Sequence, residues 1–268
     1  MELRSSEISS VIYHDIFDYP LTPLELKKWK LSKNIKTKKV IVEKNSFYFL
    51  KGREEIIKKR LKRKKYSKNK FKIAKKVNLV LGKIPTIKLV AITGALAMNN
   101  ADKGSDIDLM IITKNKTLWT TRLISYLLIN IYGFKVRKPK DNNQRDKLCL
   151  NMWLDEEDLV WKNENRNIYS SHEIAQIVPL INKDNTYEKL LNRNSWILDY
   201  WPKAVKLNKN LKFKKVISSK TFSFVEKLTF KLQYLYMKNK ISREVVTPTQ
   251  AIFHPNNWSK VVISRLTS

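Results

Sequence analysis

Two apolar runs, IKLVAIT at residues 87–93 and IDLMIIT at residues 107–113, constrain this chain more than any other feature. Each has strand length and is bounded by turn residues, which sets it apart from a buried helix. Gly94 follows the first run directly and opens a short helical turn, GALAMNN. After the second run, TLWTTRLISYLLINIYG reads as a long apolar helix ending near Gly133. FKVRK and KLCLNMWL then supply further strands. Strands and helices in alternation bury both sheet faces, so residues 83–160 are expected to form a core around a mixed sheet.

The flanks read differently, which makes the chain as a whole α+β. In residues 1–52, ISSVIYHDIF has helical spacing, and TPLELKKW opens with a capping box from Thr22 to Glu25 around Pro23. KKVIVEKNSFYFL, broken at Lys44-Asn45-Ser46, reads as a hairpin. Two helices and a hairpin resemble a winged helix-turn-helix, with little room between Lys30 and Lys39 for a recognition helix. Residues 53–82 read as a basic connecting helix, solvated rather than bound to phosphates, with Ile73, Val77, Val80 and Leu81 on one face. Residues 161–268 are expected to be helical. SSHEIAQIVPLI carries a capping box from Ser170 to Glu173, NTYEKLLNRNSWILDYWP is closed by Pro202, and an amphipathic stretch runs from 221 to 240.

Charge enters once partners are asked about. Fifty-four Lys and Arg against 24 acids leave a formal net charge of +30. That surplus admits nucleic acid or nucleotides as partners, although a codon bias toward Lys, Asn and Ile gives the same excess without one. The single cysteine, Cys149, excludes an internal disulfide framework and a cysteine-rich zinc site, and a reducing cytoplasm is the simplest location. His14, His172 and His254 lie too far apart to suggest a local ligand pair. The longest apolar stretch, LISYLLINIYGF, falls short of the ~20 residues a membrane span needs and reads as a buried helix, so no membrane partner is expected.

In this basic chain, the acids Asp106 and Asp108 stand one residue apart at the mouth of an apolar strand. Side chains two apart on a strand leave the same face. Carboxylates that close repel, and one protonates unless a cation sits between them. Oxygen ligands at a strand end suit Mg²⁺, which takes its remaining ligands from water and substrate phosphates. Upstream, Gly94 lets backbone N–H groups approach a phosphate without a side chain in the way.

Thr93-Gly94-Ala95, the ten residues 96–105 and then Asp106-Ile107-Asp108 resemble the signature of the DNA polymerase β-like nucleotidyltransferase superfamily. Ser105 before the pair matches the SDIDL of many small bacterial members. The whole chain is similar to bacterial proteins that join a winged helix, this core and a helical C-terminal part. The resemblance implies that Asp106 and Asp108 bind Mg²⁺ and that Thr93, Gly94, Ala95 and Ser105 border a nucleoside triphosphate, ATP being the expected donor. An acceptor hydroxyl would attack the α-phosphorus and pyrophosphate would leave. Ala95 stands where the family has Gly or Ser. The family's third carboxylate, on a later strand, falls at Asn151, a poor base. Asp155 shares the strand parity of Asn151, about 13 Å further on. The alternative is a catalytically impaired relative that binds nucleic acid or regulates.

Overall fold

The computed structural model describes residues 3–35, 39–138, 141–211, 223–241, 244–253 and 257–267. It begins with α1 (Ser5–Asp15) and α2 (Pro23–Lys28), the latter opened by the Thr22–Glu25 capping box. The hairpin follows, β1 (Ile41–Lys44) against β2 (Phe47–Leu50), turning through Asn45 and Ser46, both with positive φ. No helix occurs between Lys30 and Lys39 among the described residues, so the likeness to a winged helix rests on two helices and a wing.

One unbroken helix, α3 (Glu55–Leu81), joins this unit to the rest. Its buried side is not only apolar. Arg60 pairs with Glu25, Arg63 with Asp102, and the fully buried Lys70 with Asp146. Ala74, Val77 and Leu81 then seat its second half on the sheet.

That sheet has six strands in the order β6-β3-β4-β5-β8-β7. In chain order, β3 (Ile87–Ile92) leads through the single turn α4 (Gly94–Ala97) into β4 (Ile107–Thr113), antiparallel to it. Next comes α5 (Leu118–Ile131), then β5 (Leu148–Asp155), parallel to β4. The segment read as the strand FKVRK contributes a single bridge, Val136 to Leu148. Then follow α6 (Ile168–Ala175), β6 (Val178–Asn182), α7 (Thr186–Arg193) with a 3-10 turn at Ser195–Asp199, α8 (Phe224–Met237), β7 (Val245–Val246), β8 (Gln250–Ile252) and α9 (Trp258–Thr267).

Three expectations are corrected. The C-terminal part is not only helical: β6 pairs with β3 and β8 with β5, so it completes the sheet on both sides. The strand patterns there are too short to register against the neighbouring helical periodicity. The helix start in SSHEIAQ is Asn167, whose side chain accepts from the Tyr169 and Ser170 N–H groups, rather than a Ser170–Glu173 box. Finally, α5 is half exposed: Leu123, Ile124, Leu127 and Ile131 face outward. Only its opposite side, with Leu118, Trp119 and Ile129, reaches the core.

The sheet separates two cores. Leu109 and Ile111 of β4 pack with α3 and α5. Met110 and Ile112, on the opposite face, pack with Ile174 and Ala175 of α6 and with the N-terminal unit. Trp201 is fully buried there and Trp196 nearly so. His172 sits against Trp29 at 4.3 Å between ring centres. His14 and His172, distant in sequence, meet with their Nε2 atoms 3.2 Å apart. His14 Nδ1–H donates to the Ser10 carbonyl at 2.8 Å, so its Nε2 accepts and His172 Nε2–H donates. Burial drives the His14 pKa down to about 4 and holds that of His172 well below the usual histidine range, so both rings are neutral. His254 lies outside the described residues.

Candidate active site

Alternation along β4 puts Asp108 on the face of Met110 and Ile112, the face that α6 covers. Gly94, the first residue of α4, lies against it. Its φ is +60°, and a Cβ there would stand 3.0 Å from Asp108 Oδ2. The glycine is therefore required twice, for the left-handed backbone and for the carboxylate's approach. Thr93 N–H donates to the Asp108 carbonyl at 3.1 Å, pinning the turn to the strand. Ala95 is exposed at the start of α4.

Asp106 is paired: Arg137 Nη1 lies 2.7 Å from its Oδ2. Asp108 is not matched by a cation. Asn151 Nδ2 donates to its Oδ1 at 2.8 Å, and burial together with Asp106 pushes its pKa up to about 7. Asn151 Oδ1, also buried, has no hydrogen-bond partner. Cys149 completes the cluster, its Sγ within 4.8 Å of both carboxylates. Burial and the two acids push its thiol pKa up, so it is a neutral thiol and not a thiolate.

A β-bulge explains how β5 serves this site. Cys149 is opposite Asp108 but Met152 is opposite Met110, so β5 holds one extra residue between them. Cys149 and Asn151, two apart, both lie near Asp108. The bulge also reverses the parity beyond it. Met152 and Leu154 join the α6-side core, whereas Trp153 joins the other. Asp155 follows Trp153, away from the face of Asn151, and pairs with Thr113 at the far end of β4. Its carboxylate accepts the N–H of Lys116 at 2.6 Å and of Glu157 at 3.0 Å. Asp155 is thus the anchor of two turns and no member of the site. A parity count cannot see a bulge, and that is why the sequence placed it with Asn151.

Ser105 is also occupied locally, its hydroxyl donating to the Asp102 carbonyl at 2.9 Å. Its own carbonyl accepts from Lys70 Nζ at 2.6 Å. The loop entering Asp106 is fixed by α3, and Ser105 acts there through its backbone.

Glu173 is the acid that sequence reasoning missed. It sits on α6, the helix over the Asp108 face, where burial and the Asp108 charge push its pKa up to about 8. Its one hydrogen bond is from Gln176 Nε2 at 2.6 Å. Tyr169, one turn earlier, feels both Glu173 and Asp108. The signal was present in the sequence: Glu173 was assigned to a helix cap, yet a cap does not need the partner at i+3 that Gln176 provides.

The donor set fits a hard divalent cation. It offers two carboxylates and an amide oxygen with no other partner, while the one soft atom is kept protonated. Among the described residues no other group of His, Cys, Asp and Glu has metal-binding geometry.

No family model, curated protein or solved structure matches this chain. The reading of the site therefore rests on its geometry and on the motif. The α+β class with a mixed sheet is established, and no helix among the described residues is long and apolar enough to cross a membrane.

Proposed function

We propose that the protein is a Mg²⁺-dependent nucleotidyltransferase that moves a nucleoside monophosphate from a nucleoside triphosphate, ATP first among them, to a hydroxyl acceptor. The observation that carries this reading is the close approach of Gly94 to Asp108: a glycine turn lies directly against a carboxylate that has no ion-pair partner, so a phosphate held on the turn's N–H groups would share a cation with that carboxylate. Asp106 and Asp108, with Asn151 Oδ1, would hold the ion. When bound, Mg²⁺ supplies charge neutralisation for the triphosphate and for the developing negative charge on its oxygens. The residues of the chain do the rest. The Gly94 turn and α4 place the triphosphate, Arg137 balances Asp106, and Glu173, with its pKa raised to about 8, is suited to accept the acceptor's proton once the pH rises past that value.

A second reading has its own support. Asn151 occupies the place of an acid, and Arg137 already neutralises Asp106, an arrangement that would preserve nucleotide binding without transfer. One measurement separates the readings. Isothermal titration of Mg·ATP is expected to give binding that Asp106→Ala and Asp108→Ala each abolish, and labelled ATP is expected to leave pyrophosphate. Binding without pyrophosphate selects the second reading; unchanged binding in both variants overturns the first and second together.

A further inference from the structure

The most basic element of the chain meets the loop that carries the acid pair. From residue 56 to 81, α3 contains no acid. Eight of its lysines, Lys58, Lys62, Lys64, Lys65, Lys68, Lys72, Lys75 and Lys76, are exposed, and none forms a salt bridge among the described residues. At 100° per residue they fall within an arc of about 160°, and from Lys58 to Lys76 they run about 27 Å along the axis. The basic residues on the opposite arc have a different use. Arg63 holds Asp102 at 2.8 and 3.1 Å, and Lys70 holds the Ser105 carbonyl at 2.6 Å and Asp146 at 2.8 Å. The loop leading into Asp106 is thereby tied to the middle of α3, and Lys64, Lys65 and Lys68 stand one helix width away, about 10 Å.

We infer that the outer face of α3 binds the phosphate backbone of a single-stranded polynucleotide. This surface is separate from the proposed nucleotidyl-transfer site and does not rest on it. Charge complementarity selects the occupant: a row of unpaired lysines along a straight element matches a chain of regularly spaced phosphates. A lipid surface fits less well. An interfacial helix sinks an apolar face into the membrane, whereas the apolar face of α3 is committed to the sheet through Ala74, Val77 and Leu81.

The test uses the full chain and fluorescence anisotropy of an end-labelled oligouridylate with a free 3′-hydroxyl, titrated across a range of salt without nucleotide. For single strands the logarithmic slope is about −0.7 per phosphate contact, so Lys62→Gln, Lys65→Gln, Lys68→Gln and Lys72→Gln together should flatten it by roughly 3 and weaken binding at least tenfold. Exposed lysines of α8 and of the turn after it provide the control: Lys227→Gln, Lys231→Gln and Lys238→Gln together should leave slope and affinity unchanged. Mg·ATP binding should be the same in all three proteins. Equal losses in both multiple variants, no loss in the α3 variant, or α3-dependent binding of phosphatidylserine vesicles in place of the oligonucleotide each overturn the inference.

Discussion

The parallel strands β4 and β5 carry a buried acid at each end of their shared edge, and the two ends are built for different purposes. At one end Asp155 is wholly buried, and its two oxygens take the N–H groups of Lys116 and Glu157, which close the turns after β4 and β5. At the other end Asp108 has the Asn151 amide and the Cys149 thiol as donors, an acidic neighbour and no ion-pair partner. Burial raises both, to about 6 and about 7. The kind of donor distinguishes them. A carboxylate whose oxygens are met by backbone donors holds structure together, while one left short of positive charge is poised to receive it from a ligand.

Substitutions at the two ends should therefore separate function from stability. The largest effect is expected from Gly94→Ala, which adds a Cβ 3.0 Å from Asp108 Oδ2 at a φ of +60°. Calorimetry should find Mg·ATP affinity reduced by two orders of magnitude or more, on the order of 3 kcal/mol, with the fold retained. Native affinity in this variant would break the assignment of the turn to the phosphates.

Asp155→Ala should do the reverse. Two buried N–H groups lose a charged acceptor, so denaturant melts should show a loss of about 3 kcal/mol, while the folded protein binds Mg·ATP normally. A stable Asp155→Ala protein that no longer binds nucleotide would put Asp155 back into the site. Glu173→Gln is expected to reduce turnover about 100-fold, or ~2.7 kcal/mol in barrier, and to leave Mg·ATP binding intact. The pH–rate profile should lose its limb near pH 8, a change that a structural role for Glu173 would not produce.

The smallest expected effect lies outside both ends, in the buried His14–His172 pair. Their folded pKa values are depressed, that of His14 to about 4, so the unfolded chain takes up protons below about pH 6.5 that the folded chain refuses. Stability from this source is complete above that pH and lost as it falls. For His14 alone the loss is about 2 kcal/mol between pH 6.5 and 5. Thermal melts over that range should show it, and His14→Phe should flatten the slope. A flat profile in the wild type would mean that the pair is protonated in the folded state.

Local signals carried far along this chain. The Thr22–Glu25 box, the turn at Asn45-Ser46, the pair of strands around Gly94 and the stop at Gly133 all depend on contacts a few residues apart, and each is present as the sequence predicts. The same holds for Asp106, Asp108 and Gly94, whose approach is fixed by one antiparallel pair. What the sequence could not reveal depends on long-range pairing. The bulge that turns Asp155 away from the face of Asn151 is a property of two strands in register. The helix that brings Glu173 to the site comes from a part of the chain that also inserts β6 beside β3.

The amino-acid sequence by itself determined an acid pair facing a glycine turn, because a strand's two-residue period and a residue without a Cβ act over a few ångströms of chain. Only the tertiary structure decided the charge around that pair. Arg137 and Glu173 come from distant parts of the chain, and their charges count only at distances that folding sets.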